Sequence, residues 1–302
     1  MLYSNGTLYI EGFNGYNYYT YRNNKLMEIG TMSNTQVIQN LDSWLVSDGV
    51  LYASGSSQSS GGLIEYKNGK WKTIYPGGNS NVYGLLAVKG ALYAGFANAS
   101  GFGGDVRVYK MGKWTRLAGP SIATMNGLIY VNNTLFAGAS GIWNYRNGKW
   151  TQQLKHENIL NFQFYNRTLY AKGVYEGIWI YKNYKWTLMK GSSNVDGSTM
   201  VNVNGTLYAL ASDTATVWTF KNGKWTPLNS SIDLNDVSTL QNVNGTLYAE
   251  TSYGLFSYKN GMWNKIKGLP GANSSSSLLY VNGTLYAAIN GEGLWMYKMK
   301  NN

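Results

Sequence analysis

Few side chains in this chain offer catalytic or metal-binding chemistry. There is no Cys and a single His, His156. The lack of Cys excludes disulfides, thiolate metal sites and Cys nucleophiles, and one His excludes a multi-histidine metal centre within one chain. His156 and Glu157 form a potential acid–base pair, but neighbours in a predicted loop need not face each other. We therefore predict no metal site, no cofactor and no catalytic residue.

Aromatic residues in irregular segments are better candidates for chemistry, namely for ligand binding. An aromatic ring has an apolar face and, in Tyr, a polar tip, which suits contact with a sugar ring. We predict that the ligand-binding residues are Phe13, Tyr16, Phe102, Tyr175 and Tyr253, together with the acids Glu176 and Glu292.

A repeat of roughly 39 residues, near the period of four-stranded propeller blades, must position these side chains. Leu-Tyr-Ala or a close copy occurs eight times, with its aromatic residue at Tyr9, Tyr52, Tyr93, Phe136, Tyr170, Tyr208, Tyr248 and Tyr286. A later position holds Trp71, Trp114, Trp150, Trp186, Trp225 and Trp263. We predict one domain, 1–302, with repeat units at about 1–30, 31–75, 76–118, 119–155, 156–190, 191–229, 230–268 and 269–302.

Each repeat unit predicts four strands, which we call A to D from the inside outward. Two-residue turns such as Asn5-Gly6 and Asn68-Gly69 fill the A–B and C–D junctions, and Asn-Gly is a strong hairpin signal because a type I′ turn needs positive φ at both residues. Four-stranded antiparallel units at this period bury both sheet faces by packing around an axis. We predict an all-β fold, a β-propeller of four-stranded antiparallel blades, with eight blades and with seven as the alternative.

The repeat resembles those of known propeller families. Leu-Tyr-Ala, a Gly-led strand ending in Tyr, and Gly-Lys-Trp together are similar to kelch-type repeats and to quinoprotein-type (PQQ-like) repeats of eight-bladed propellers. The resemblance covers essentially the whole chain and implies an architecture. Most units lack the kelch Gly-Gly pair, so no family site residue is transferred to this chain.

Strand alternation divides the propeller into two faces. The A–B and C–D turns lie on one, the turn face, and the longer B–C and D–A loops lie on the other, the loop face. Loops on a rigid scaffold usually carry binding residues, so we expect the ligand there. Lys and Arg flank the C–D turns, and the chain has a formal charge of +11, so we expect a basic outer turn rim that attracts polyanions or keeps the outer strands soluble.

The last repeat unit predicts an open edge. Only Met299–Asn302 follow its third strand, too few residues for an outer strand. Residues Gly293, Trp295 and Tyr297 would then lie on an edge that can accept a strand from another chain.

These observations favour a non-enzymatic propeller that binds carbohydrate, in the manner of a lectin, through its loop face. The alternatives are a structural protein that contacts other chains by the open edge or the basic rim, and a glycan-active enzyme with Glu176 and Glu292 at the axial mouth. A glycan, a surface polymer or a protein is the expected partner; nucleic acid is not expected, and no apolar run is long enough to span a membrane. Many Asn-x-Ser/Thr sequons, such as Asn5 and Asn98, favour an extracellular or cell-surface protein whose leader is not part of this chain.

Overall fold

The computed structural model is built from antiparallel β-sheets. It describes residues 2–11, 17–23, 25–31, 40–56, 61–76, 80–98, 104–122, 125, 127–173, 177–193, 195, 200–211, 216–228, 237, 239–251, 253–267, 277–281, 284–289 and 293–298. No helix occurs in these ranges. No helix there is long and apolar enough to cross a membrane.

The first three repeat units each form a four-stranded sheet in chain order. Their strands are β1 (Leu2–Ser4), β2 (Thr7–Glu11), β3 (Asn17–Arg22) and β4 (Lys25–Thr31); β5 (Asn40–Ser47), β6 (Val50–Ser56), β7 (Gly61–Lys67) and β8 (Lys70–Tyr75); and β9 (Ser80–Val88), β10 (Ala91–Asn98), β11 (Gly104–Lys110) and β12 (Lys113–Ile122).

The fourth and fifth units share one six-stranded sheet, in the order β13-β14-β15-β16-β17-β18. Its strands are β13 (Gly127–Val131), β14 (Thr134–Arg146), β15 (Lys149–Tyr165), β16 (Thr168–Gly173), β17 (Ile178–Lys182) and β18 (Lys185–Leu188). Two further four-stranded sheets contain β19 (Met200–Val203), β20 (Thr206–Leu210), β21 (Val217–Lys221) and β22 (Lys224–Pro227); and β23 (Thr239–Val243), β24 (Thr246–Thr251), β25 (Gly254–Lys259) and β26 (Met262–Lys265). The last sheet has three strands, β27 (Ser277–Val281), β28 (Thr284–Ile289) and β29 (Gly293–Lys298).

The long strand β15 corrects one prediction. The sequence predicted a loop at Lys155–Asn161, with His156 and Glu157 in it, but these residues lie within β15. Their backbone continues the ladder, since Asn158 pairs with Ser140 of β14 and Ile159 with Gly173 of β16. The register shifts near these pairs, so β15 continues from its pairing with β14 to its pairing with β16 without an interruption.

The two-residue turns have the backbone that the sequence predicts. In Asn5-Gly6 φ is 48° and 77°, and in Asn68-Gly69 it is 51° and 78°, so both positions are left-handed as a type I′ turn requires. Turns of neighbouring units also contact each other. The Asn204 Nδ2 donates to the Gly245 carbonyl at 2.9 Å, so the inner turns link neighbouring sheets.

Apolar residues pack between neighbouring sheets and form the core. The strand-D Trp residues fit against the preceding unit: Trp186 lies 6.2 Å from the Phe136 ring and is buried, and the Trp114 Nε1–H donates to the Ile74 carbonyl at 2.8 Å. The Trp series therefore packs between neighbouring sheets.

The sheets follow one another around a closed ring. The innermost strands β1, β5, β9 and β13 contact in succession, as do β19, β23 and β27. Tyr21 of β3 meets Tyr286 of β28 edge to face at 6.1 Å, so the first and last sheets are also neighbours. The β-propeller prediction is confirmed, and the count of eight blades stays a prediction.

Candidate functional site

Most of the predicted loop-face residues lie outside the described residues. These are Phe13, Tyr16, Phe102, Tyr175, Glu176 and Glu292. Tyr253 is described: it follows β24, its side chain is exposed, and its backbone N–H donates to the Thr251 Oγ1 at 3.1 Å. The loop-face site therefore stays a prediction.

The predicted assembly edge is described as backbone only. Gly293, Trp295 and Tyr297 lie on β29 and pair with Ile289, Ala287 and Leu285 of β28. Among the described residues β29 has no second partner strand. Assembly through this edge stays a prediction.

The turn face contains two inter-unit grooves of equal size. One lies between the second and third repeat units and the other between the fourth and fifth; we call them the 2/3 groove and the 4/5 groove. Each has a volume of about 400 Å³, within the range of about 300–1,000 Å³ found for small-molecule sites. Equivalent strands and turns form both, so their linings can be compared position by position.

The 4/5 groove has an aromatic floor. Phe136 of β14 and Tyr181 of β17 line it and meet edge to face at 5.4 Å. The Trp186 ring packs against both, with its centroid 5.0 Å from that of Tyr181 and 6.2 Å from that of Phe136. Because these rings are fixed by packing, the floor is formed before any ligand arrives.

Large exposed side chains stand at the rim of the 4/5 groove. Phe164 is 44% exposed and Tyr184 is 83% exposed, and both line the groove. Arg146, at the end of β14, and Arg167, in the A–B turn of the fifth unit, add two guanidinium groups. The rim thus offers aromatic faces beside planar hydrogen-bond donors.

Two of these rim residues occupy strained turn positions. Arg167 has φ 59° and Tyr184 has φ 60°. In the described turns of the repeat, the second residue is Gly except at Asn133, Arg167 and Tyr184. A non-Gly residue in this left-handed region costs about 1–2 kcal/mol. First turn residues such as Met111 (φ 50°) have the same backbone, so what distinguishes Arg167 and Tyr184 is a large side chain at the second turn position. The sequence analysis missed this groove, although Asn-Arg and Asn-Tyr in place of Asn-Gly were visible signals.

The 2/3 groove has different side chains at the equivalent positions. Ala87, Gly90 and Gly112 stand where the 4/5 groove has Phe164, Arg167 and Tyr184. Carboxylates replace amides, since Asp48 and Glu65 of the 2/3 groove correspond to Asn132 and Asn144 of the 4/5 groove. The 2/3 groove also contains three Lys residues, Lys67, Lys72 and Lys110, and Lys72 pairs with Glu65 at 3.7 Å.

Tyrosine pKa values reflect the two linings. In the 2/3 groove, burial raises the pKa of Tyr52, and Glu65, Tyr109 and Asp48 raise it further. In the 4/5 groove, burial and then Tyr184 raise the pKa of Tyr181, whereas Arg146 lowers it. Both phenols are therefore neutral hydrogen-bonding groups at neutral pH. The local field is negative at Tyr52, whereas Arg146 makes it more positive at Tyr181.

Metal-ligating side chains do not gather in the described part of the chain. No group of three or more His, Cys, Asp or Glu residues there is close enough to hold a metal ion. The 4/5 groove offers aromatic rings, amides and guanidinium groups, which are binding groups.

Comparison with known proteins identifies the architecture. No protein-family model matches the chain, and no curated protein sequence matches it significantly. Among solved structures, the computationally designed protein Ika8 superposes with a TM-score of 0.70 at 12% identity, covering 98% of this chain and 94% of that one. BamB from Moraxella catarrhalis gives 0.68 at 11% identity, covering 99% and 95%.

A third structure carries the name of the fold. The WD40 β-propeller domain of Doa1 superposes with a TM-score of 0.56 at 13% identity, covering 85% of this chain and 92% of that one. At such identities the likeness concerns the fold alone. Together with the closed ring of antiparallel sheets, it shows that the chain is a β-propeller repeat protein.

Proposed function

We propose that the protein is a non-enzymatic binding propeller that binds carbohydrate, and that the 4/5 groove is its binding site. The observation that carries the proposal is the pair of exposed aromatic side chains, Phe164 and Tyr184, at the rim of a groove with an aromatic floor. A sugar ring presents apolar C–H faces and equatorial hydroxyls, so it needs both ring faces and polar groups around it.

The polar groups for the hydroxyls line the same groove. Asn132, Asn144 and Gln153 each bring an amide that can donate and accept. Such groups fix the orientation of a ligand that aromatic contact alone would leave free to rotate. The sequons in the turns support an extracellular or cell-surface location as part of the same proposal.

The alternatives from the sequence depend on other residues, although Arg146 of the 4/5 groove also flanks a C–D turn and so belongs to the basic rim. Assembly would use the β29 edge or the basic rim, and catalysis would use Glu176 and Glu292 on the loop face. Neither needs the aromatic rim of the 4/5 groove. Variants in the groove therefore separate carbohydrate binding there from both alternatives.

The test is calorimetric titration of the purified protein with neutral and acidic oligosaccharides, comparing the wild type with Phe164→Ala. Covering an aromatic side chain stabilises by about 1.5–3 kcal/mol, so losing part of that contact should weaken binding about tenfold. Met111→Ala is the matched control, because Met111 is an exposed side chain that lines the 2/3 groove.

Two results would contradict the proposal. If no oligosaccharide binds, the carbohydrate function is wrong. If one binds and Phe164→Ala leaves its affinity unchanged, the groove is wrong; Tyr253→Ala then tests the loop face predicted from the sequence.

A further inference from the structure

The charges of the 4/5 groove differ from those of its counterpart in a way that points to a negatively charged ligand. The two positions that hold Asp48 and Glu65 in the 2/3 groove hold Asn132 and Asn144 in the 4/5 groove. Both amides lack the negative charge of the acids, and each can donate as well as accept a hydrogen bond. No acidic residue lines the 4/5 groove among the described residues.

The two arginines of this groove have no carboxylate partner in the described part of the chain. Of the other three arginines, two share one acid: Asp105 accepts from Arg107 at 2.8 Å and from Arg116 at 2.7 Å. A guanidinium group presents a planar fork that matches a carboxylate. Arg146 and Arg167 are therefore able to bind an incoming carboxylate without breaking an existing ion pair.

The position of Arg167 strengthens this argument. The corresponding residue of the 2/3 groove is Gly90, and Gly adopts positive φ without steric cost. Arg at φ 59° is less favourable for the turn, yet its side chain reaches the groove.

We infer that the 4/5 groove selects an acidic saccharide: Arg146 and Arg167 bind a uronate carboxylate while Phe164 and Tyr184 contact the sugar rings. This inference rests on the proposed carbohydrate function and adds the charge of the ligand. General attraction by the basic rim predicts binding of any polyanion, whereas this inference requires the carboxylate and the sugar ring in one ligand.

The experiment uses two probes that differ in charge but share their rings, trigalacturonate and its fully methyl-esterified form. A third probe, tricarballylate, carries three carboxylates without sugar rings. Titrations are made in about 0.15 M salt, where the Debye length is about 8 Å and distant surface charges are screened. We expect trigalacturonate to bind at least about tenfold more tightly than its ester and than tricarballylate, as one charge-assisted contact provides.

Variants connect this preference to the two arginines. Arg146→Gln and Arg167→Gln should each lower the affinity for trigalacturonate about tenfold and leave the affinity for the ester unchanged. The matched controls are Lys67→Gln and Lys110→Gln in the 2/3 groove, which should have no effect. Thermal melting of each variant verifies that it is folded.

The results separate the inference from the proposed function. If both trisaccharides bind equally and the Arg variants change nothing, the acidic specificity is wrong while the carbohydrate function holds. If neither trisaccharide nor any other oligosaccharide binds, the carbohydrate function is wrong as well. If tricarballylate binds as tightly as trigalacturonate, the groove is an anion site without sugar recognition, and both are overturned.

Discussion

The 2/3 and 4/5 grooves are built from the same strands and turns, yet they offer a ligand opposite surroundings. The 2/3 groove shares a floor of two aromatic rings, Tyr52 and Tyr109, but it has small residues at three rim positions, two acids and three lysines, one of which is paired with Glu65. The 4/5 groove has large aromatic side chains, amides and two arginines. The repeat thus fixes the shape of a groove, whereas a few turn and strand residues decide its chemistry.

The largest expected effect comes from giving the 4/5 groove the residues of the 2/3 groove. The triple variant Phe164→Ala, Arg167→Gly and Tyr184→Gly removes the rim and should weaken trigalacturonate binding at least about 100-fold, since clustered aromatic and Arg side chains dominate most interfaces. Calorimetric titration measures this. The control changes Lys67, Lys110 and Met111 to Ala in the 2/3 groove; an equal loss there would show that the grooves are not distinct.

The reverse transfer should create a second site. Asp48→Asn, Glu65→Asn, Lys67→Arg, Ala87→Phe, Gly90→Arg and Gly112→Tyr give the 2/3 groove the distinguishing residues of the 4/5 groove. A side chain has room at Gly90 and Gly112, because a Cβ there would meet nothing within 4 Å. We expect the stoichiometry to rise from one to two ligands per chain, with affinities within about tenfold of each other. An unchanged stoichiometry in a folded variant would mean that these residues do not define the site.

The strained turns should make stability and binding change in opposite directions. Tyr184→Gly removes the steric strain of a Tyr residue in the left-handed backbone region. It should stabilise the protein by about 1 kcal/mol and raise Tm by about 2 °C, while the affinity for the ligand falls. Gly112→Tyr at the matching turn should lower Tm by a similar amount. Differential scanning calorimetry tests both; a lower Tm for Tyr184→Gly would show that Tyr184 is there for stability.

The smallest expected effects are shifts of tyrosine pKa with opposite sign in the two grooves. Glu65→Gln removes a negative charge that disfavours the phenolate, so the pKa of Tyr52 should fall. Arg146→Gln removes a positive charge that favours the phenolate, so the pKa of Tyr181 should rise. Alkaline titration of ¹³C-labelled tyrosines by NMR measures both, and shifts of the same sign would contradict the assigned fields.

The sequence predicts the fold well because the fold depends on local signals. Asn-Gly turns impose positive φ and hence hairpins, and their spacing in register determines the sheets. Strand β15 was mispredicted because polar residues such as His156 and Glu157 suggest a loop, whereas the residues around them pair with β14 and β16. Local composition does not encode such pairing.

The 4/5 groove was not among the sites predicted from the sequence, for a physical reason. In a repeat protein the irregular loops suggest binding sites, whereas the regular turns suggest only a structural role. The groove appears only when residues far apart in sequence, such as Asn132 and Tyr184, are brought to one place by the packing of neighbouring units. The departures from Asn-Gly identify the turns, but sequence alone does not show which turns share a groove.

The continuous strand β15 has a consequence for binding kinetics. It carries residues of both walls of the 4/5 groove, Gln153 on the side of the fourth unit and Phe164 on the side of the fifth. Walls joined by one hydrogen-bonded strand resist moving apart independently, so a ligand meets a cleft that already has its bound shape. Association should then be a single step, in which the observed rate constant rises linearly with ligand concentration. Little conformational entropy should be lost when the complex forms, because the groove is already ordered.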